Sequence, residues 1–190
     1  MREGVTLFNV NFPSHREETF DRLTRTSGLF QRRVEALRGL VRIAGWPRVR
    51  LTLVINALNA AALEDYVGFV RENFRGVSYI AMNWIKVKGR VKRAPSLVPR
   101  LSAVRPSLAA ALRACARARI RCLVDGVPLC LMRDFEGCSI DADKLSRGDR
   151  TYLDEKTKTP RCRRCSLGRR CAGIRRDYLA LFGDRELRPA

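Results

Sequence analysis

The sequence has little of what most catalytic sites are built from. Its 190 residues include a single histidine, His15, and only 7% are aromatic. No Ser-His-Asp set, paired carboxylates or glycine-rich phosphate loop is visible, so the sequence supports neither hydrolysis nor nucleoside-triphosphate chemistry. His15 follows the first predicted strand in a charged loop, where a surface position is more common than a catalytic one.

Segments that would carry the chain across a membrane are also missing. No run of about eighteen apolar residues occurs, which excludes a membrane-spanning helix. Residues 1–13 contain a brief apolar run but lack the small-residue cleavage site of a secretory signal. The seven cysteines are an odd number, which fits a reducing compartment better than a disulfide framework. We therefore expect a cytoplasmic protein without membrane contact.

The most informative stretch is residues 160–183, PRCRRCSLGRRCAGIRRDYLALFG, in which Cys162, Cys165 and Cys171 have C-x2-C-x5-C spacing. Thiolates in that number select zinc or an iron–sulfur cluster over hard cations. A fourth ligand has to come from elsewhere, and Cys130, close to the turn-forming Pro128, is the best candidate. Zinc ribbons usually have two matched C-x2-C pairs and this chain has one. The spacing therefore favours a cluster, with zinc as the alternative.

The charge of the chain is strongly positive, at a formal +19. Such a charge is typical of proteins that bind nucleic acid or another polyanion. Most of the basic residues are arginines spread along the chain, and neither a groove-reading helix nor an aromatic stacking motif is recognisable. A zinc-stabilised nucleic-acid-binding module is therefore an alternative function, but not the favoured one.

The apolar pattern of the first half predicts an α/β fold. Strands are predicted at three stretches rich in apolar and β-branched residues: Val5–Phe12, Arg48–Asn56 and Val77–Val87. Helical spacing predicts a helix from Leu29 to Ala44, ended by Gly45 and Pro47, and a second helix capped by Asn59. The order β-α-β-α-β implies parallel strands joined by right-handed crossovers.

Beyond residue 87 the pattern becomes less regular. Residues 88–105 predict a long basic connection, Pro106 begins a third helix, and Ile120–Val124 forms a last short strand. From Cys130 to Thr159 the sequence is polar and irregular, as expected of a lobe held by a metal rather than by a core. We therefore divide the chain into a barrel-like part, residues 1–125, and a cysteine-rich lobe, residues 126–190.

Several polar or adaptable residues lie where a parallel sheet would bind a ligand, beyond the carboxyl ends of its strands. They are Asn9, Asn11, Asn56, Met82 and Asn83. For any single asparagine, a local turn or helix cap is the more common explanation.

Three segments carry a resemblance to a known family: FPSHREETFDRLTRTSGLFQRRVEAL, LTLVINALNAAALEDYVGFV, and PLC followed later by CRRCSLGRRCAGIRRDYLALFGDRELRP. They are similar, in that order, to the fourth strand and helix, the fifth strand and helix, and the auxiliary-cluster region of radical S-adenosylmethionine enzymes that have a twitch- or SPASM-type domain. The matches cover nearly the whole chain, and the last is the most specific.

The resemblance implies a partial (βα)6 barrel, of which this chain would be the C-terminal half. It implies that an auxiliary [4Fe-4S] cluster is held by four cysteines: Cys130, Cys162, Cys165 and Cys171. It also implies contacts to S-adenosylmethionine. Asn56 would hydrogen-bond the cofactor, Asn9, Asn11 or Ser14 would lie near its ribose or methionine part, and the segment around Met82 would approach the adenine. The arginines near the cysteines could meet an acidic substrate such as a peptide.

The chain departs from the family in two ways. The C-x3-C-x2-C motif that holds the radical-generating cluster is absent, so we do not expect the chain to generate a radical alone. Arg175 stands where full SPASM domains have another cysteine, which implies one auxiliary cluster rather than two. A half-barrel that starts at Val5 would leave a strand edge unpaired and an apolar face exposed. We therefore expect a partner that supplies the missing N-terminal half, or self-association; a non-catalytic scaffold subunit is a further alternative.

Overall fold

A parallel sheet organises the first two thirds of the protein. The computed structural model describes residues 4–43 and 48–190. Within them four strands form one parallel sheet, in the order β1-β2-β3-β4, and β1 and β4 do not pair with each other. The strands are β1 (Leu7–Asn11), β2 (Arg48–Ile55), β3 (Tyr79–Trp84) and β4 (Arg121–Asp125). The predicted α/β class is confirmed.

Helices make the crossovers that parallel neighbours require. They are α1 (Glu17–Thr24) and α2 (Phe30–Ile43) after β1, α3 (Leu63–Asn73) after β2 and α4 (Leu101–Arg117) after β3. The lobe contains α5 (Ile140–Ser146), the antiparallel pair β5 (Lys156–Thr157) and β6 (Ile174–Arg175), and α6 (Arg176–Phe182). Among the described residues no helix is both long and apolar enough to cross a membrane.

Helix α1 occupies a segment that the sequence suggested was only a charged connection. Its Phe20 is buried, and Glu17 and Glu18 lie in the first turn, where the helix dipole favours acidic side chains. One buried aromatic ring is therefore enough to fix this short, charged helix against the core. The predicted end of the following helix, at Ala44, Gly45 and Pro47, falls outside the described residues.

Helix α4 begins at Leu101 rather than at Pro106, so the predicted connection is shorter than expected. The Leu101 N–H, which has no partner inside the helix, donates to the Tyr178 hydroxyl of α6 at 3.0 Å. Leu101 and Val104 are buried, whereas Pro106 lies on the exposed side. Packing and a tertiary hydrogen bond thus extend the helix ahead of the proline.

A helix also interrupts the lobe segment that was expected to be irregular. Helix α5 begins after Ser139, whose hydroxyl accepts a hydrogen bond from the Ala142 N–H at 3.2 Å. This is the usual way in which serine satisfies a free donor at a helix start.

The two faces of the parallel sheet differ in burial. On β2, the residues that face the helices are fully buried: Val49, Leu51, Leu53 and Ile55. The alternating residues of β2 are only half-buried, and together with their cross-strand neighbours they form what we call the open face: Asn9, Asn11, Arg50, Thr52, Val54, Tyr79, Asn83, Leu123 and Asp125. Parallel sheets are normally covered on both faces, so this exposure is unusual.

Candidate metal centre

Four cysteines line a single cavity in the lobe. Cys130 lies in a short turn just after β4, and Cys162, Cys165 and Cys171 lie on the loop between β5 and β6. Its other walls include apolar side chains: Pro128, Leu167, Ile174, Leu187 and Pro189. The structure therefore brings the distant Cys130 to the same cavity as the three clustered cysteines.

Consecutive tight turns hold the two nearest cysteines. The Cys165 N–H donates to the Cys162 carbonyl at 3.2 Å, and the Gly168 N–H donates to the Cys165 carbonyl at 2.9 Å. A Cβ added at Gly168 would lie 3.0 Å from that carbonyl oxygen, so the close turn favours glycine. The C-x2-C spacing thus becomes a compact double turn.

Gly173 fixes the position of Cys171. Its φ is +95°, and a Cβ placed there would lie 2.1 Å from the Thr157 carbonyl oxygen across the β5–β6 pair. Its N–H donates to the Cys171 sulfur at 3.3 Å. Only glycine therefore allows β6 to approach β5 while its N–H faces the thiol.

Replacing Gly173 with alanine is expected to separate β5 from β6 and to lower the metal content of the protein. The loss of stability should be at least about 1–3 kcal/mol, the usual cost of a strained backbone residue, because a steric clash adds to the strain. Urea unfolding and metal analysis would measure both effects. Gly183→Ala is the matched control, since Gly183 also has a positive φ, +68°, but no atom within 4 Å of the added Cβ. Equal effects of the two substitutions would contradict this account.

The environment of the thiols is mostly apolar, with a few backbone donors. Burial raises the pKa of Cys130 and of Cys171, and the neighbouring thiols of the group raise it further. Backbone N–H groups of Arg188 and Leu129 act in the opposite direction, because they donate to the two sulfurs and favour the thiolate. Such N–H donors also tune the potential of a cluster when cysteine sulfurs bind iron.

The four thiols are not placed around a single metal ion in the present geometry. Among the described residues, no three His, Cys, Asp or Glu side chains are placed as ligands of one metal ion. Zinc bound at about 2.3 Å by each thiolate would need the sulfurs within roughly 4 Å of one another. A cluster places several atoms between its ligands, and each sulfur can also change rotamer. The four cysteines could therefore hold a cluster, with the apolar walls limiting access of water.

Ion pairs attach the lobe to the carboxyl ends of the sheet. Arg175, which is buried, makes a bidentate contact with Asp177 at 3.0 and 2.8 Å and donates to Glu155 at 2.9 Å. Asp177 in turn accepts from the Val87 N–H, just past β3, at 2.9 Å. Arg175 is thus the centre of a network that fixes the lobe to β3.

Glu155 gathers three cations on one carboxylate. Lys86 and Lys88 lie 2.6 and 2.9 Å from its oxygens, in addition to Arg175. Burial disfavours the Glu155 anion, but the three cations outweigh this effect and lower its pKa well below the usual range. The ionised form is therefore the one that holds the lobe in place.

The pH dependence of stability should report this carboxylate. Because the pKa of Glu155 is lowered on folding, its contribution is present above its ordinary value of about 4.3 and is lost as the pH falls through the folded value. We expect Glu155→Gln to be less stable than the wild type at neutral pH, with a difference that shrinks in acid. Urea midpoints over a pH series would measure it, with the exposed Glu35→Gln as control. A difference that is independent of pH would contradict the role assigned to Glu155.

A second buried charge cluster joins the lobe to β4. Lys156 has 1% of its side chain exposed and contacts Asp125 at 3.1 Å and Asp141 at a shorter distance. Asp141 also accepts from the Gly126 N–H at 3.2 Å. Burial opposes ionisation of Asp125, but the Lys156 ammonium outweighs it and lowers the pKa, whereas burial raises the pKa of Asp141.

Asn56, one of the residues expected to bind S-adenosylmethionine, is engaged in its own turn. Its side-chain oxygen accepts from the Leu58 N–H and its amide donates to the Val54 carbonyl, both at 2.9 Å. Asn59 does not cap a helix through its side chain. It instead bonds the backbone of Asn56, Val54 and Pro13, which ties the ends of β1 and β2 together. A contact between Asn56 and the cofactor remains a prediction. The second hydrogen of the Asn56 amide is not used in this turn and could be donated to a ligand.

The other residues expected at the cofactor site are distributed over both faces. Asn9 lies on the open face and accepts from Arg50 and Thr52 at 2.8 and 2.6 Å, while Asn11 is exposed at the end of β1. Ser14 is buried in the turn before α1, where its hydroxyl bonds the backbone of residue 16. Met82 is fully buried on the helix side of β3, so only backbone groups near it could approach a ligand.

The remaining three cysteines do not line the cavity. Cys115 and Cys122 are buried neighbours in the core between α4 and β4, and Cys138 is half-buried. His15 is partly buried beside Tyr66 and Phe69, and burial lowers its pKa. Neither these three cysteines nor His15 lines the four-cysteine cavity.

Sequence reasoning missed the charged residues that position the lobe. They are one lysine and three acids that are far apart or unpatterned in the sequence: Lys156, Glu155, Asp125 and Asp141. Charged residues make up 30% of the chain. No short-range pattern distinguishes these four from solvated surface charges.

Comparison with known proteins adds no relative. No family model matches the chain, and neither a curated protein nor a solved structure matches it. The candidate centre therefore rests on the residues of the chain itself: four cysteines around one apolar cavity, attached by buried ion pairs to the carboxyl ends of a parallel sheet.

Proposed function

We propose that this chain is the C-terminal part of a radical S-adenosylmethionine enzyme, and that Cys130, Cys162, Cys165 and Cys171 hold an auxiliary [4Fe-4S] cluster. The observation that carries the proposal is the convergence of these four cysteines on one cavity. Four thiols that line one cavity in a chain without a disulfide are typical of a metal or cluster site. Bound there, the cluster would supply a site for electron transfer or for direct contact with a substrate.

The position of the cavity supports the same proposal. The lobe is attached to the sheet at Val87 and Gly126, just past the carboxyl ends of β3 and β4. Ligands of parallel α/β sheets bind at that edge, so a cluster in the lobe would lie near substrate and S-adenosylmethionine. Asn56, Asn11 and Ser14 lie at or beyond the ends of β1 and β2, and we assign them to the cofactor side of the same edge, with Asn9 and the backbone near Met82 as further contacts.

The open sheet supports the proposal of a partial barrel completed by other strands. The outer edge of β1 pairs with no strand in the described part of the chain, and most of the open face is exposed or half-buried, although Asp125 at its β4 end contacts Lys156 of the lobe. We propose that a further polypeptide segment carrying the C-x3-C-x2-C motif pairs with β1 and covers this face, or that a second copy of the chain does so. The assembled enzyme would act in the reducing environment of the cytoplasm, where cysteines stay available as ligands.

Anaerobic reconstitution tests the proposal. The purified chain would be incubated with ferrous iron and sulfide in one sample and with zinc in another, and metal and sulfide content would be determined after desalting. We expect iron and sulfide in equal amounts, with broad visible absorption that dithionite bleaches. Stoichiometric zinc without iron uptake would reject the cluster and favour a zinc-stabilised module.

A further inference from the structure

A second depression in the lobe shares a wall with the cysteine cavity. It is an open groove, and Cys162 and Cys165 line both it and the cysteine cavity. Three exposed cationic side chains line the groove: Lys158, Arg163 and Arg169. We call this depression the cationic groove.

The three cations of the groove, like the neighbouring Arg164 and Arg170, have no acidic partner among the described residues, whereas several other basic residues of the lobe do. Elsewhere in and around the lobe, basic side chains pair with carboxylates: Lys86 and Lys88 with Glu155, Arg175 with Glu155 and Asp177, Lys156 with Asp125 and Asp141, and Arg161 with Asp184. No ion pair of Lys158, Arg163 or Arg169 is found among the described residues, and no acidic residue lines the groove. The groove therefore keeps the positive charge of its three cationic side chains.

We propose that the cationic groove binds a carboxylate-rich peptide segment, and thereby presents the substrate to the cysteine side of the proposed cluster. Arginine pairs with a carboxylate through two parallel hydrogen bonds, and the hydroxyls of Ser166 and Thr159 add shorter-range donors. No aromatic side chain lines the groove, so nucleic-acid bases would find no stacking surface there. The role in presenting substrate rests on the proposed function, whereas peptide binding itself does not.

The test uses the full chain, a fluorescently labelled glutamate-rich peptide and the same peptide with glutamine in place of glutamate. We expect the glutamate peptide alone to bind, with an affinity that falls as salt rises. The groove variant is Lys158→Gln/Arg163→Gln/Arg169→Gln, and its affinity should fall by at least about tenfold. The matched control is Arg32→Gln/Arg105→Gln/Arg113→Gln, which removes the same charge from exposed sites on α2 and α4.

Each result bears on the proposal. Equal losses in the groove and control variants would show that net charge alone drives binding, and would overturn it. Tight binding of a single-stranded oligonucleotide, lost in the groove variant, with no binding of the glutamate peptide, would overturn the peptide assignment. Iron content is measured on the same samples. A wild type that takes up no iron but binds the peptide through the groove would reject the proposed cluster and leave the groove assignment standing.

Discussion

Replacing Cys130 with serine is expected to abolish stable binding of the cluster. In the proposed site Cys130 would supply the one ligand outside the β5–β6 loop, so its loss would leave three thiols from a single loop. The iron retained after desalting should fall by more than about tenfold. Altering even a residue that only supports a metal ligand already lowers metal affinity by that much. Iron and sulfide analysis after anaerobic reconstitution and desalting would measure it. The melting temperature of the reconstituted sample should fall as well, because metal binding contributes free energy to folding.

Cys122→Ser is the matched control for this substitution. Cys122 is 6% exposed and Cys130 is 7% exposed, so both changes place a hydroxyl in a buried position at similar cost. Cys122 lies in the core beside Cys115 and does not line the cavity. We expect it to keep the full iron content. A Cys130→Ser protein that retained iron as well as Cys122→Ser would remove Cys130 from the ligand set.

Replacing Lys156 with methionine is expected to give the largest loss of stability among substitutions outside the cavity. The change leaves Asp141, 6% exposed, and Asp125, 25% exposed, without the ammonium that neutralises them. Removing one partner of a buried pair costs about 3–5 kcal/mol, and the exposure of Asp125 points to the lower end. The urea midpoint should fall at unchanged slope, and the melting temperature should fall by roughly 10 °C.

Two further variants separate lost pairing from lost packing. Lys158→Met replaces an exposed lysine two positions away and should change stability by no more than about 0.5 kcal/mol. The double variant Lys156→Met/Asp141→Asn removes the more deeply buried unpaired charge and should recover part of the loss. If the double variant were as unstable as Lys156→Met, the cost would not come from the carboxylate.

The sequence was sufficient for those parts of the fold that local pattern determines. Short stretches rich in apolar and β-branched residues located the four strands of the parallel sheet to within a few positions, whereas the short pair β5–β6 was not predicted. The pattern failed where tertiary contacts decide. The start of α4 depends on Tyr178, which is 77 positions away from Leu101, and α1 depends on the burial of Phe20.

The candidate centre was predictable for a chemical reason, and its supports were not. Three cysteines within a short arginine-rich stretch are unusual for core residues, and the turn-forming Pro128 pointed to Cys130 as the fourth ligand. Lys156 contacts Asp125, 31 positions away in the sequence, and Asp141, 15 positions away. As far as the sequence shows, many other charged residues could have formed such a pair. Ion pairs of this kind have no local sequence signature, so only the fold identifies them.

Mössbauer spectroscopy of the chain reconstituted with isotopically enriched iron tests the central claim most directly. The account predicts one quadrupole doublet typical of a [4Fe-4S] cluster in the wild type, at one cluster per chain. Cys122→Ser should give the same spectrum, and Cys130→Ser should lose it. A wild-type spectrum that shows only loosely bound ferrous iron would contradict the four-cysteine cluster.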